Sequence, residues 1–477
     1  MFRDVFLRLL GLSGLLLCNA VLAEITPCRL PDFPQELRCG KVERPLNPDD
    51  VTGKKIDIQY VILPSQDKNK LQDAIFLLAG GPGQSAINVA SFGQAILSRL
   101  NKRRDIVFVD QRGTGRSASL ACPEVENAAD VANEDQMLKK TEACLARLKK
   151  LPYGDLRFFS TSIAVQDLEA VRKQQGYDKI NLVGASYGTR VGLEYMRQFP
   201  QSVKRAVLDG VVPPEMSLPS GDAQAALDGV FADCARQATC NASYPNLAHR
   251  WQQLLASMPK QISLIHPRLG TPLNFEMRRD LLLSLVHKTL YTSTTTGALP
   301  YAITQAEHGN YLALVTLSGA TNLPGPGSIN YGMHFSVWCS EAFSRPLPPA
   351  KDEFEKMMNH MYDRACRNWP RARIPTEFFT VPQAQSPVLL LSGGIDPVTP
   401  IRHGAAVAKA LGTNAIHVTL NNAGHGLMAQ GCVRDLVYRF LNAKQDSDAL
   451  KIDSSCVKPI PRPLAWQPLQ ASKEQQP

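Results

Sequence analysis

Three residues far apart in the chain have the types needed for nucleophilic hydrolysis. Ser186 stands in Gly184-Ala185-Ser186-Tyr187-Gly188, a G-x-S-x-G pattern. An apolar run at 180–183 leads into it, and helix-spaced residues at 187–199 follow. A serine there sits on a sharp strand-to-helix turn. The glycines clear room for neighbouring backbone, the turn exposes the hydroxyl, and the next backbone N–H groups point toward it. A serine hydroxyl is a weak nucleophile at neutral pH and needs a base. His425 lies between Gly424 and Gly426, directly after the apolar run 416–420, in a loop where a side chain can reach and reorient. Of the other histidines, His403 and His417 fall inside a helical and a strand pattern, and the rest occupy a helical stretch away from the apolar runs.

The base in turn needs a carboxylate to fix its tautomer and stabilise the imidazolium. Asp396 follows Leu389-Leu390-Leu391-Ser392-Gly393-Gly394, in a loop stiffened by Pro397 and Pro400. Asp209 is the competing acid, because it follows the apolar run 206–208, although Asp209-Gly210 also reads as a turn. A fourth element is Ala79-Gly80-Gly81-Pro82-Gly83, where glycines leave backbone N–H groups uncovered at a strand end. The N–H groups of Gly81 and Tyr187 are the expected oxyanion-hole donors. No metal or organic cofactor is called for by this chemistry. Asp110-Gln111-Arg112-Gly113-Thr114-Gly115-Arg116-Ser117 ends another apolar run and is assigned a structural role.

These residues require a frame that brings chain-distant loops to one rim. Short apolar runs at 74–78, 106–109, 180–183, 206–208, 388–391 and 416–420 suit strands buried on both faces. Helical spacing at 161–175, 187–199 and 401–411 alternates with them. That pattern predicts an α/β fold, a mostly parallel sheet with helices on both faces. Residues 213–384 break the alternation with helical segments and a Gly/Pro-rich joint at 323–327, which predicts a large inserted helical cap. The expected division is 1–23 leader, 24–212 first part of the core, 213–384 cap, 385–456 second part of the core, and 457–477 an extended tail.

The chain has 477 residues, 44% hydrophobic and 20% charged, with a net charge of +9. That composition excludes disorder, collagen and coiled coil as descriptions of the whole chain. The basic residues occur as scattered doublets and triplets without interleaved aromatics, so nucleic-acid binding is not expected. Arg3 and Arg8 precede a Leu-rich uncharged stretch that ends in Val21-Leu22-Ala23. This predicts a secretory leader cut before Glu24, export to the periplasm or the medium, and no stable membrane anchor afterwards. Setting aside Cys18, ten of the eleven cysteines remain. They fall as near neighbours, Cys28/Cys39, Cys122/Cys144, Cys234/Cys240, Cys339/Cys366 and Cys432/Cys456. Sequential disulfides are the expectation, although sequence alone does not fix connectivity.

The chain order Ser186, Asp396, His425 is that of the α/β-hydrolases. As a set, G-G-P-G at 80–83, D-Q-R-G-T-G-R-S at 110–117, G-A-S-Y-G-T-R at 184–190, D-P-V-T-P at 396–400 and G-H-G at 424–426 resemble the proline iminopeptidase and tripeptidyl aminopeptidase family of that fold. The likeness spans about residues 30–456 and is greatest to the secreted tripeptidyl aminopeptidase branch. It implies a serine exopeptidase acting on peptides with a free N-terminus, with Ser186, Asp396 and His425 as nucleophile, acid and base. Many relatives begin the oxyanion motif with His, where this chain has Ala79. The acidic cap motif that holds the substrate's amino group in proline iminopeptidases is not recognisable. Glu341, in Trp338-Cys339-Ser340-Glu341, is the candidate replacement, with a surface glutamate as the alternative. Two other functions stay open: an esterase or amidase acting on a small non-peptide substrate, and a non-catalytic binding protein.

Overall fold

The computed structural model describes residues 25–125, 134–217, 222–319, 328–347 and 349–467. The expected leader, the joint at 323–327 and the last ten residues of the tail lie outside this range.

Nine strands form one sheet in the order β1-β2-β3-β5-β4-β6-β7-β10-β11. They are β1 (Thr26–Cys28), β2 (Leu37–Pro45), β3 (Lys55–Leu63), β4 (Ile75–Leu78), β5 (Ile106–Val109), β6 (Ile180–Ala185), β7 (Val203–Asp209), β10 (Val388–Gly393) and β11 (Ala415–Leu420). From β5 to β11 every neighbour runs parallel, while β1, β2 and β3 form an antiparallel edge. The short apolar runs become these central strands because each feeds two cores. Leu389 and Leu391 point into one hydrophobic cluster, and Val388 and Leu390 into the other. Alternating side chains of a strand covered on both faces must all be apolar, which is why the runs are continuous.

Helices Thr161–Gln174, Tyr187–Gln198 and Ile401–Leu411 cover one face, and Ala90–Asn101 and Val433–Asn442 the other. The register aligns Leu78 with Gly184, Ala185 with Asp209, Leu391 with Asp209, and Gly393 with Leu420. These carboxyl ends of parallel strands share one rim, the place where open α/β sheets put their sites.

The inserted segment is less uniform than the sequence reading. Residues 223–317 are mostly helical and build their own core around Trp251, Leu282 and Leu299. They also contain a two-stranded antiparallel hairpin, β8 (Lys260–Ile265) with β9 (Pro272–Met277), in place of unbroken helix. Helix Tyr331–Glu341 packs Met333, Phe335, Val337 and Trp338 into the core on one face of the main sheet instead. Five disulfides join Cys28–Cys39, Cys122–Cys144, Cys234–Cys240, Cys339–Cys366 and Cys432–Cys456. The described part of the tail straps onto the inserted segment, where Trp466 N–H donates to the Gly297 carbonyl at 3.0 Å and the Trp466 ring meets Tyr301.

Candidate active site

Ser186 follows β6 directly and begins helix Tyr187–Gln198 with φ 55° and ψ −126°. A non-glycine residue at positive φ costs about 1–3 kcal/mol and persists only where its surroundings enforce it. Here the enforcement is dense. Ser186 N–H donates to the Asp209 carbonyl at 2.8 Å, and the Ser186 carbonyl accepts from Thr189 N–H at 2.8 Å and from Thr189 Oγ1 at 2.7 Å. A side chain on Gly188 would strike the Leu78 carbonyl, and one on Gly184 would come within 2.5 Å of the Gly188 carbonyl. Both glycines of the motif therefore answer to backbone crossing, not to turn propensity alone.

His425 stands on the loop after β11. Its Nδ1 donates to Asp396 Oδ2 at 2.8 Å and lies 3.1 Å from Thr399 Oγ1. Asp396 is fully engaged. Oδ1 accepts from the N–H groups of Val398 at 2.8 Å and Thr399 at 2.9 Å, and Oδ2 also accepts from Thr399 Oγ1 at 2.7 Å. Burial by itself would raise the Asp396 pKa, but the His425 charge and these bonds hold it below the ordinary carboxylate value. Burial likewise opposes a charged imidazole, and Asp396 outweighs it, so the His425 pKa is raised above 6.5. The pair is thus poised to accept a proton on Nε2 while Nδ1–H stays fixed.

Asp209 has a different task from the one weighed for it as an acid. Its carboxylate accepts from Leu427 N–H at 2.7 and 2.9 Å and from Met428 N–H at 2.9 Å, pinning the loop just beyond His425. Burial pushes its pKa up to about 6 against those bonds. The next residue, Gly210, lies so close under the His425 ring that a Cβ there would come within 3.0 Å of it. The Asp209-Gly210 corner therefore links the two halves: it bonds the Ser186 backbone and floors the His425 imidazole.

The glycine loop after β4 sits against the serine. A Cβ on Gly80 would be 3.4 Å from Ser186 Cβ, and Gly81 has φ 111°. Tyr187, the residue after the serine, is buried, with its hydroxyl accepting from Gln111 Nε2 at 2.9 Å and sharing a bond with Thr161 Oγ1 at 2.7 Å. Neighbouring Asp110 and Arg112 of the D-Q-R-G motif are buried and bind Ser85, Asp167 and backbone carbonyls, a structural use of both charges.

Glu341 is a correction. Expected to meet the substrate's amino group, its side chain is wholly buried. It accepts from Thr161 N–H at 2.8 Å and faces Arg190 Nη1 at 3.5 Å. Burial holds its pKa above the ordinary carboxylate value in spite of Arg190, so it is a carboxyl closed off inside the protein and not a carboxylate presented to an ammonium ion. Two residues were missed by sequence reasoning. Thr399 follows Asp396 by three, the spacing at which an Asp turn collects later N–H groups, and that was the available signal. Tyr291 lies in the inserted segment; its carbonyl accepts from His425 N–H at 2.7 Å, and its ring stands edge-on to the imidazole at 5.3 Å. Nothing in its local sequence marks it.

Among the described residues, the grouping able to hold a metal is Cys122, Glu124 and Cys144, and its two sulfurs are bonded to each other. No helix among them is long and apolar enough to cross a membrane.

A family model described as alpha/beta hydrolase fold matches residues 73–286, and one described as TAP-like protein matches 350–456. Serine protease Hip1 of Mycobacterium tuberculosis is 24% identical over 478 residues, spanning 88% of each chain. Tripeptidyl aminopeptidase of Streptomyces coelicolor is 28% identical over 201 residues, 38% of this chain and 36% of its own. Carboxylesterase B of Mycobacterium tuberculosis is 24% identical over 444 residues, 84% of each chain. With its serine on a strained turn at the rim of the sheet, the chain is a serine hydrolase of the α/β-hydrolase fold, similar over its C-terminal part to the TAP-like proteins.

Proposed function

We propose that the protein is an exported serine aminopeptidase that cleaves peptides near a free N-terminus through an acyl-enzyme on Ser186. The observation that carries this reading is the 2.8 Å Asp396–His425 bond standing over Gly210, beside the strained turn of Ser186. His425 Nε2 takes the proton from Ser186 as Oγ attacks the scissile carbonyl, and Asp396 steadies the imidazolium that forms. The N–H groups of Gly81 and Tyr187 receive the oxyanion. His425 then gives its proton to the leaving amine, and water, activated by the same imidazole, releases the acyl group. The likeness to Hip1 over most of the chain supports peptide bonds as the substrate class. The five disulfides support an oxidising destination.

A second reading keeps the chemistry and changes the substrate to an ester or amide. It is favoured by the likeness to Carboxylesterase B and by the burial of Glu341, which removes the expected ammonium anchor. Profiling free and N-acetylated peptidyl p-nitroanilides beside short-chain p-nitrophenyl esters separates the two. The aminopeptidase reading expects cleavage of free peptides that is lost on acetylation. Turnover of esters alone would retire it.

A further inference from the structure

Helix Tyr331–Glu341 touches the site from the inserted segment at both of its ends. At its start, the Gly83 carbonyl accepts from Asn330 N–H at 2.9 Å and from Asn330 Nδ2 at 3.0 Å. One turn on, His334 Nδ1 meets the Pro82 carbonyl at 3.0 Å, and its Nε2 meets the Tyr362 hydroxyl at 2.7 Å. A carbonyl only accepts, so Nδ1 carries the proton and Nε2 accepts from Tyr362. Burial lowers the His334 pKa to about 4 and keeps this neutral tautomer through the working range. These bonds hold the carbonyls of Pro82 and Gly83, in the loop that carries the expected donor, Gly81 N–H.

At the far end, Glu341 begins a second relay. Its Oε1 accepts from Thr161 N–H, the first residue of helix Thr161–Gln174, whose own N-cap, Ser160, makes no side-chain cap bond. A carboxylate at a helix N-terminus satisfies an orphan donor and complements the helix dipole. Thr161 Oγ1 then holds the Tyr187 hydroxyl at 2.7 Å, and Gln111 holds it from the other side. Glu341 Oε2 faces Arg190, which lies in the first turn of the helix that Ser186 begins and whose Nη2 donates to the carbonyls of Pro213 and Met216 at 2.9 and 2.8 Å. A disulfide from Cys339 to Cys366 and a bond from Trp369 Nε1 to Ser336 Oγ fix the helix itself.

We propose that Glu341 and His334 are positioning residues: from one helix of the inserted segment they hold the two oxyanion donors, Tyr187 and Gly81, in register with Ser186. This rests on the serine-hydrolase reading above and adds a function to helix Tyr331–Glu341. It replaces substrate binding by Glu341 with support of the transition state, so its loss lowers kcat and leaves KM in place.

The test is steady-state kinetics on one peptidyl p-nitroanilide, free and N-acetylated, and on p-nitrophenyl acetate, with folding checked by thermal melting. The variants are Glu341→Gln, Thr161→Val, Tyr187→Phe, His334→Ala and His334→Asn. Thr161→Val and Tyr187→Phe change no charge and remain informative if Glu341→Gln does not fold. Each of the first four is expected to lower kcat about fivefold on every substrate that wild type turns over, with KM unchanged, the size of one lost hydrogen bond. Thr161→Val combined with Tyr187→Phe is expected to cost no more than either alone, because they break the same link. His334→Asn, which returns a donor near the Nδ1 position, is expected to recover most of what His334→Ala loses. A raised KM for the free peptide but not for p-nitrophenyl acetate in Glu341→Gln would overturn the proposal in favour of ammonium binding, and so would unchanged kcat across the set. A wild type active only on the ester refutes the peptidase reading while the ester series still judges the proposal. A wild type inert on both overturns the two together.

Discussion

Asp396 is held by its own loop and His425 by Asp396 and Tyr291, whereas Tyr187 is held through Thr161 and Gln111 and the Gly80–Gly83 loop from helix Tyr331–Glu341. On the acid–base side the bonds are charge-assisted and converge on the acid and base themselves. Asp396 collects Val398 and Thr399 within one turn and His425 from a later loop, and Asp209 fastens the loop beyond the imidazole. On the oxyanion side the bonds act at a remove from the donors, from Glu341 to Thr161 and on to the Tyr187 hydroxyl, and from His334 to Pro82. The difference teaches where each kind of fragility lies. Charge-assisted contacts made by the acid and base themselves give large effects when a single partner is lost. Contacts made at a remove give small ones that share a common cause.

The largest expected effect ignores the difference between the two sides. Ser186→Ala removes the nucleophile and should lower kcat by on the order of a millionfold, down to what binding and the oxyanion donors alone supply. Progress curves against a no-enzyme blank check it. Next comes the acid–base side by itself. Asp396→Asn should cost on the order of a thousandfold to ten-thousandfold in kcat, because the amide no longer fixes Nδ1–H. Asp209→Asn, read by the same assay, should cost far less, since its carboxylate holds backbone instead of the imidazole. Equal losses from the two would erase the distinction between acid and scaffold.

The pH profile refines the same side. Catalysis needs neutral His425, so kcat/KM should rise with pH, with an inflection above 6.5 because Asp396 raises the imidazole pKa. Removing that carboxylate leaves burial dominant, and burial disfavours the cation, so Asp396→Asn should shift the inflection downward. An upward shift would contradict the pairing. Thr399→Val should lower kcat about fivefold to tenfold, the worth of one bond to a charged partner. That makes the acid–base side sensitive to a neutral neighbour as well.

The smallest expected effect is on stability. Ser186→Gly relaxes the φ of 55° and should raise the unfolding free energy by about 1 kcal/mol in urea titration, against the usual cost of glycine. A destabilised protein would mean that the turn is not strained.

The two sides also differed in how readily the sequence disclosed them. Asp396 and His425 follow apolar runs and sit among Gly and Pro, so their place at a strand end could be read directly. The runs themselves became strands because burial on both faces leaves no polar alternation to confuse them. The β8–β9 hairpin was not visible in the same way. Its strands do alternate, with Ile262 and Leu264 on β8 and Leu273, Phe275 and Met277 on β9, but each is only six residues long and lies between helical segments that dominate the pattern of the stretch. Glu341 shows the deeper limit. A glutamate two residues from a cysteine in a helical stretch carries no sign that it will be buried against Arg190 and bonded by Thr161, because those partners arrive only through the tertiary fold. The burial of Tyr187, which hides its hydroxyl beneath the serine turn, is equally silent in G-x-S-x-G.

The central claim is that Ser186 is activated through His425. Labelling with a fluorophosphonate, followed by peptide mass spectrometry, reads that activation without any assumption about substrate. One adduct per chain is predicted, on the peptide carrying Ser186, with labelling abolished or greatly slowed in His425→Gln. An adduct elsewhere, or labelling of Ser186 at an undiminished rate in His425→Gln, would contradict the account.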